Sequence, residues 1–202
     1  VAYSEGFSPR PKLSFGLALS VAHESDAEYL DVELISAPDI ESLPAALSDA
    51  LPDGLDVTAV IVLEPGTVSL QQAITSCTWR IEVLGAPPDM VSAAVADALS
   101  ASELWLERVR KGKTSTVDVR PTILELSVEG PTDHGTQLVA ELATESMSLR
   151  PSELVAVLGI EGLTEGRVRR THQWTIVDGV RSEPVSPPNP STRHEQELLR
   201  AS

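Results

Sequence analysis

Thr78-Trp79-Arg80-Ile81-Glu82-Val83-Leu84 alternates side-chain character and stops at Gly85, and Pro87-Pro88-Asp89 follows almost at once. Alternation with period two marks a half-buried strand. A Pro-Pro-Asp opening marks a helix start, because proline lacks the N–H that a first helical turn leaves unpaired anyway. Met90, Ala94, Val95, Ala98 and Leu99 then recur at helical spacing, so a helix is predicted through about Leu99. Working outward, Leu104, Leu106 and Val109 alternate toward a second strand. The turn Lys111-Gly112-Lys113 and a strand over Val117-Asp118-Val119-Arg120 come next. Ile123–Val128 and Leu138–Leu142 are further strands, parted by the turn-rich 130–135. Pro151-Ser152-Glu153 starts a short helix over 151–158, and Arg167–Val177 is a last strand.

The first half repeats part of this grammar. Leu13–Leu19 alternates apolar and small residues. Tyr29-Leu30-Asp31-Val32-Glu33-Leu34 puts Leu30, Val32 and Leu34 on one face and the acids on the other, as in an antiparallel hairpin. Asp39 looks like an N-cap for a helix carrying Leu43, Ala46, Leu47 and Ala50, ended by Pro52-Asp53-Gly54. Leu55–Leu63 is rich in Val and Ile and is expected to be a strand. The fold class is therefore α+β. The economical arrangement is two tandem ferredoxin-like (split βαβ) subdomains, the first truncated at its N-terminus and the second with one added strand. The expected divisions are 1–65, a linker over 66–75, a second unit over 76–181, and a proline-rich tail over 182–202 with too little apolar content to fold. A truncated first unit exposes a sheet edge and an apolar face.

The chain has 202 residues, a net charge of −15 and a pI near 4.5. Apolar residues are 42% and mean hydropathy is close to zero, which excludes a mostly disordered chain and an integral membrane protein built on apolar spans. Cys77 is the only cysteine, so neither a disulfide framework nor a Cys-cluster metal site is available within the chain. With no leader pattern at its start, the default location is cytoplasmic. Charge is uneven. From Leu13 to Trp79 there is no Lys or Arg, while eleven acids fall there. Ten of the fifteen cations form three islands: Arg10 and Lys12; Arg108, Arg110, Lys111, Lys113 and Arg120; and Arg167, Arg169 and Arg170. Such islands either hold an anionic ligand or simply balance local repulsion in an acidic chain.

The candidate ligand-binding residues follow from the islands. Glu5-Gly6-Phe7-Ser8-Pro9-Arg10-Pro11-Lys12 is a loop stiffened by two prolines that presents two cations. Arg10 suits a bidentate contact with phosphate or carboxylate, and Lys12 a point-charge contact. The alternative is a rigid connector whose Phe7 plugs the core and whose Glu5 pairs with Arg10. Arg110, Lys111 and Lys113 cluster at a hairpin tip. Asp118 and Arg120, two apart, are expected to share a strand face and to bridge. With Arg169, the two groups are expected to line one cleft between the subdomains. His23, His134, His172 and His194 show no metal-ligand spacing. Asp31 and Glu33 share a strand face without a third ligand, so no metal and no cofactor are assigned. Neither a nucleophile elbow nor a phosphate-binding glycine loop is present.

Tyr3-Ser4-Glu5-Gly6-Phe7-Ser8-Pro9-Arg10-Pro11-Lys12-Leu13-Ser14-Phe15, with Ala27-Glu28-Tyr29-Leu30-Asp31-Val32-Glu33-Leu34 and Arg110-Lys111-Gly112-Lys113, resembles a bacterial family of radical-SAM-associated proteins of unknown function. In that family a strand and helix with a Ser-His-Leu-Asp segment precede the Tyr-Ser-Glu-Gly-Phe motif, and here that segment is absent. The resemblance implies a radical SAM protein as partner. The radical enzyme itself needs three cysteines, so this chain is an associate rather than that enzyme. Three readings stand: a non-catalytic accessory module that positions a substrate, RNA first among them; an RNA-modifying or RNA-processing enzyme in its own right; and a structural protein-binding domain. No membrane is involved in any of them.

Overall fold

The computed structural model describes residues 1–185 apart from Gly6 and Ser146, with the Arg110 side chain left aside. It is a mixed α+β protein. The N-terminal part contains β1 (Leu13–Phe15), β2 (Glu24–Ser25), β3 (Leu30–Val32), α1 (Leu43–Ala50) and α2 (Leu70–Ala73). The rest contains β4 (Ile74–Leu84), α3 (Pro88–Ser100), β5 (Trp105–Arg110), β6 (Lys113–Asp118), β7 (Ile123–Pro131), β8 (Gly135–Ala143), α4 (Pro151–Val157), β9 (Thr164–Val177) and β10 (Val180–Ser182). No described helix is long and apolar enough to cross a membrane.

The main sheet runs β10-β9-β4-β8-β7, and every neighbouring pair along it is antiparallel. The crossovers β4–α3–β7 and β8–α4–β9 interlock, each pair of strands straddling one strand of the other. Both helices cover one face, and the core lies beneath them. Ile81 and Val83 of β4, Leu138, Ala140 and Leu142 of β8, Val91, Val95 and Ala98 of α3, and Leu154 and Val155 of α4 are buried together. The alternation at 78–84 therefore reports a real two-sided strand, with Arg80 and Glu82 on the face without helices. Pro88 stands at the start of α3 with Asp89 in its first turn, where a carboxylate meets the positive end of the helix. Glu153 performs a related task in α4, accepting the Arg150 N–H.

The hairpin β5–β6 stands apart from this sheet. Lys111 and Gly112 both have positive φ, 50° and 75°, as a two-residue turn of primed type requires. The ladder ends at Asp118, short of the expected Arg120, because Pro121 has no N–H to continue it. Arg120 instead begins a 3-10 turn (Arg120–Thr122).

The N-terminal part departs further from expectation. β1 and β3 pair with Leu13 opposite Val32 and Phe15 opposite Leu30, as the hairpin reading requires. Leu55–Leu63, expected to be a strand, lies on no ladder: its Val and Ile residues find no neighbouring strand among the described residues, and Ile61, Val62 and Leu63 are exposed. The expected linker contains α2, which runs directly into β4, four residues earlier than alternation predicts. The pairing of β2 with β9, parallel and only two residues long, has no counterpart in the sequence pattern. Of the expected tail, Ser182 closes β10 and Glu183 accepts a hydrogen bond from the Tyr29 hydroxyl, while 186–202 lie outside the described residues.

Candidate functional site

The N-terminal loop is closed by a clamp. Ser4 N–H donates to the Arg10 carbonyl (2.9 Å), Arg10 N–H donates to Ser4 Oγ (3.0 Å), and Tyr3 bridges to Pro11. Phe7 is fully exposed, so it does not plug the core. Glu5 and Arg10 are both exposed and form no ion pair with each other, whereas Lys12 pairs with Glu33 at 2.7 Å. At the β5–β6 tip, Lys111 and Lys113 are exposed. Among the described residues Arg10, Lys111 and Lys113 have no acidic partner.

Arg108, Arg120, Arg167 and Arg169 are committed to internal contacts. Arg108 forks onto Glu153 (2.9 and 2.8 Å) and reaches the Ser148 carbonyl. Arg120 donates to the carbonyls of Ile123 and Leu99, tying the end of α3 to β7. Asp118 does not bridge to Arg120; its Oδ1 accepts the backbone N–H groups of Leu104 and Arg120. Once the ladder stops at Asp118, the two side chains no longer share a strand face. Arg167 and Arg169 both hold Glu24, and Arg169 also reaches Asp26 at 3.4 Å. The hydrogen bonds from Arg167 and then Arg169 hold the Glu24 carboxyl below its ordinary value, while Glu24 and Asp26 raise that of Arg169.

Of the residues expected to line one cleft, Arg110 lies outside the described side chains. Lys12 and Arg169 are taken by acids, and none of the described residues among them lines the open groove of about 420 Å³ that runs between Met90, Asp97, Leu104 and Ile160. That groove is walled by α3 and the end of α4.

Arg170 is the most unusual of the cations. It lies at 1% exposure on the helix side of the sheet, where the register with β4 puts it beside Trp79. Its Nη2 donates to the Leu17 carbonyl (2.8 Å) and to Glu28 Oε1 (2.5 Å), and its guanidinium stands 5.5 Å from the Trp79 ring centroid. Gln173, also buried, donates to the Ala27 carbonyl. Residues 17–28 are thus docked onto β9 by side chains from the third island. Beside them, burial pushes the Cys77 thiol up to about 11.

The opposite face of the sheet carries a different constellation. His172 and Trp174 alternate along β9, and their rings stack at 4.8 Å with an interplanar angle of 6°. The Arg181 guanidinium, from β10, stands 3.9 Å from the Trp174 ring. Trp174 Nε1 donates to Thr78 Oγ1 (2.7 Å), which fixes the indole edge. Arg181 is further held by Glu141 at 2.8 Å, and Glu141 by Ser76 at 2.6 Å. Helices α3 and α4 pack on the other face of the sheet and do not cover these groups. Asp178-Gly179, both at positive φ, makes the hairpin that brings Arg181 across. An Asp-Gly pair after a strand is a hairpin signal legible in the sequence, but placing 182 onward in an unfolded tail hides it.

Among the described residues there is no group of three His, Cys, Asp or Glu side chains arranged to hold a metal ion. A family model for an uncharacterized protein conserved in bacteria (DUF2344) matches residues 1–151. The chain belongs to the DUF2344 family. No curated protein matches it. In this DUF2344 chain the match takes in the clamped loop, the β5–β6 tip and three strands of the main sheet. His172, Trp174 and Arg181 lie beyond it.

Proposed function

We propose that the chain is a non-catalytic accessory module that works with a radical SAM protein and positions an RNA substrate. The radical SAM association rests on the Tyr3–Phe15 motif. The ferredoxin-like reading of residues 76–181 supplies a sheet face not covered by α3 or α4, of the kind on which single-stranded RNA is stacked. The observation that carries the RNA reading is the stack on that face: Trp174, pinned by Thr78, is sandwiched between His172 and Arg181, and a nucleobase would extend the stack on the outer side of His172. Stacking tolerates an acidic chain better than phosphate contacts do, and Arg10, Lys111 and Lys113 are exposed cations without an acidic partner among the described residues that could meet phosphates.

The test is binding of single-stranded oligoribonucleotides at low salt. Trp174→Ala is expected to weaken binding by about 1–3 kcal/mol. Arg10→Ala with Lys111→Ala is expected to lower the salt slope by about 0.7 for each phosphate that is no longer neutralised. Absence of RNA binding by the intact chain, or a Trp174→Ala variant that binds like wild type, refutes the RNA role. A second reading, a protein-binding domain, is favoured by the apolar ladder face of β1 and β3.

A further inference from the structure

Arg80 of β4 and Arg169 of β9 are directly opposed in register, on the sheet face that carries His172 and Trp174. Like charges placed opposite one another destabilise a ladder. Such a pair is unexpected in a chain with 15 cations against 30 acids, and Arg167 adds a third guanidinium to it. Acids from other elements offset the crowding. Glu129 pairs with Arg80. Glu24 gives one carboxylate oxygen to Arg167 and the other to Arg169, and Asp26 reaches Arg169 at 3.4 Å. Glu82, on the same face, accepts from the Thr132 hydroxyl and the Arg167 N–H instead. Two guanidiniums that converge on the two oxygens of one carboxylate form a site that two oxygens of a phosphate fill in the same way.

The arginines continue the aromatic stack. Trp174 covers one side of His172, so the outer side of that ring looks back along β9 toward Arg169. The register partners of His172 and Arg169 are Thr78 and Arg80, two residues apart on β4, which sets the two side chains ~7 Å apart along the strand. A nucleobase laid on His172 therefore brings its phosphate within reach of the arginines. Glu24 is the acid that can give way. Its strap, residues 24–28, is held by other bonds: Asp26 N–H donates to the Arg170 carbonyl, Gln173 to the Ala27 carbonyl and Arg170 to Glu28. The Glu24 side chain itself is 41% exposed, and an exposed ion pair is weak because water competes for both charges. We infer that Arg167 and Arg169 are a phosphate-binding pair for single-stranded RNA, which the Glu24 carboxylate fills until RNA displaces it. The inference rests on the RNA reading, and it adds the cations beside the stacked base and the acid that holds them closed.

The experiment titrates the full chain and its Glu24→Gln variant with a labelled single-stranded oligoribonucleotide over a series of salt concentrations. Glutamine keeps the size of the side chain and removes its charge. In the wild type, a phosphate that displaces Glu24 releases counterions while the freed carboxylate takes cations up, so the two effects offset. In Glu24→Gln the salt slope should steepen by about 0.7 for each phosphate engaged. Affinity at low salt should rise by ~2- to 5-fold, the worth of an exposed ion pair. Adding Arg167→Gln and Arg169→Gln should return the slope to its wild-type value. A wild-type slope and affinity in Glu24→Gln overturn the inference, and so does a steeper slope that survives in the triple variant. Pyrophosphate at the oligonucleotide's own phosphate concentration should leave the added slope in place; if it abolishes it, the ligand is a small phosphate compound and the inference falls. Hydrogen-exchange protection of the Asp26 amide should drop by no more than ~10-fold in Glu24→Gln. A greater loss would mean that Glu24 holds the strap rather than masking the arginines, which also overturns the inference. Where the wild type binds RNA and Trp174→Ala weakens it, these failures leave the RNA role standing. Absence of RNA binding by wild type and Glu24→Gln alike refutes that role, and this inference with it.

Discussion

Arg170→Met removes the guanidinium that holds residues 17–28 on the sheet while keeping the apolar length of the side chain. Two hydrogen bonds from a charged donor and the cation–π stacking on Trp79 disappear with it. Hydrogen bonds involving a charged group contribute about 1.5–3 kcal/mol each, and a desolvated cation–π interaction about 2 kcal/mol. Against this, the wild-type protein bears the desolvation of a cation at 1% exposure, whose Nε has no partner. Glu28 is half exposed and returns to water when its partner goes. The net loss should therefore fall at about 2–3 kcal/mol, beneath the ~3–5 kcal/mol of a fully buried pair that loses one partner. Glu28→Gln combined with Arg170→Met should reveal a coupling of about 1 kcal/mol, small because one member is open to solvent. Native-state hydrogen exchange is the assay. The amides of Gly16 and Asp26, bonded to the Tyr29 and Arg170 carbonyls, should lose protection by roughly 30- to 150-fold. The amides of Ile81 and Leu138 should change far less. If both sets lose protection equally, the N-terminal segment is not a separately docked unit. If neither changes, Arg170 does not hold it.

Three further outcomes are expected. Gly135→Ala should destabilise the protein by about 1–3 kcal/mol in urea unfolding, because an added Cβ would stand 2.0 Å from the Val83 carbonyl oxygen; a neutral effect would mean that the β4–β8 contact yields freely. At pH 8, Cys77 should react with iodoacetamide at least ~100-fold more slowly in the native chain than in the unfolded one, since a thiol moved from 9.0 to about 11 loses that share of its thiolate, and equal rates would deny its burial. Glu24 has a lower value folded than unfolded, so the stability it contributes is complete above the ordinary 4.5 and is lost as pH falls through the lowered value; Glu24→Gln should flatten this part of the acid unfolding curve of residues 13–30, and an unchanged curve would remove Glu24 from the account.

The second half of the chain was legible from residues alone. Alternation at 78–84, proline at the starts of α3 and α4, and turn residues at 85, 112 and 130–135 each state a local preference, and in residues 74–177 the local preferences agree with the packing that follows. Period two at Tyr29–Leu34 likewise determined which side chains of β3 share a face. The tertiary structure alone decided what depends on distant partners. The Val- and Ile-rich stretch 55–63 has strand composition, yet a strand exists only where another backbone accepts its hydrogen bonds, and none is offered to it among the described residues. The two-residue pairing of β2 with β9 is too short to leave a period. The basic islands are clusters in sequence, but whether a cation is free depends on acids 21 to 145 residues away: Glu33 takes Lys12, Glu24 takes Arg169, and Glu28 takes Arg170. The Trp174 stack arises the same way, from a strand, its hairpin partner and Thr78 nearly a hundred residues earlier. Side-chain periodicity reports the geometry of one element at a time, whereas ion pairs and stacks report the register between elements, which only the folded chain sets.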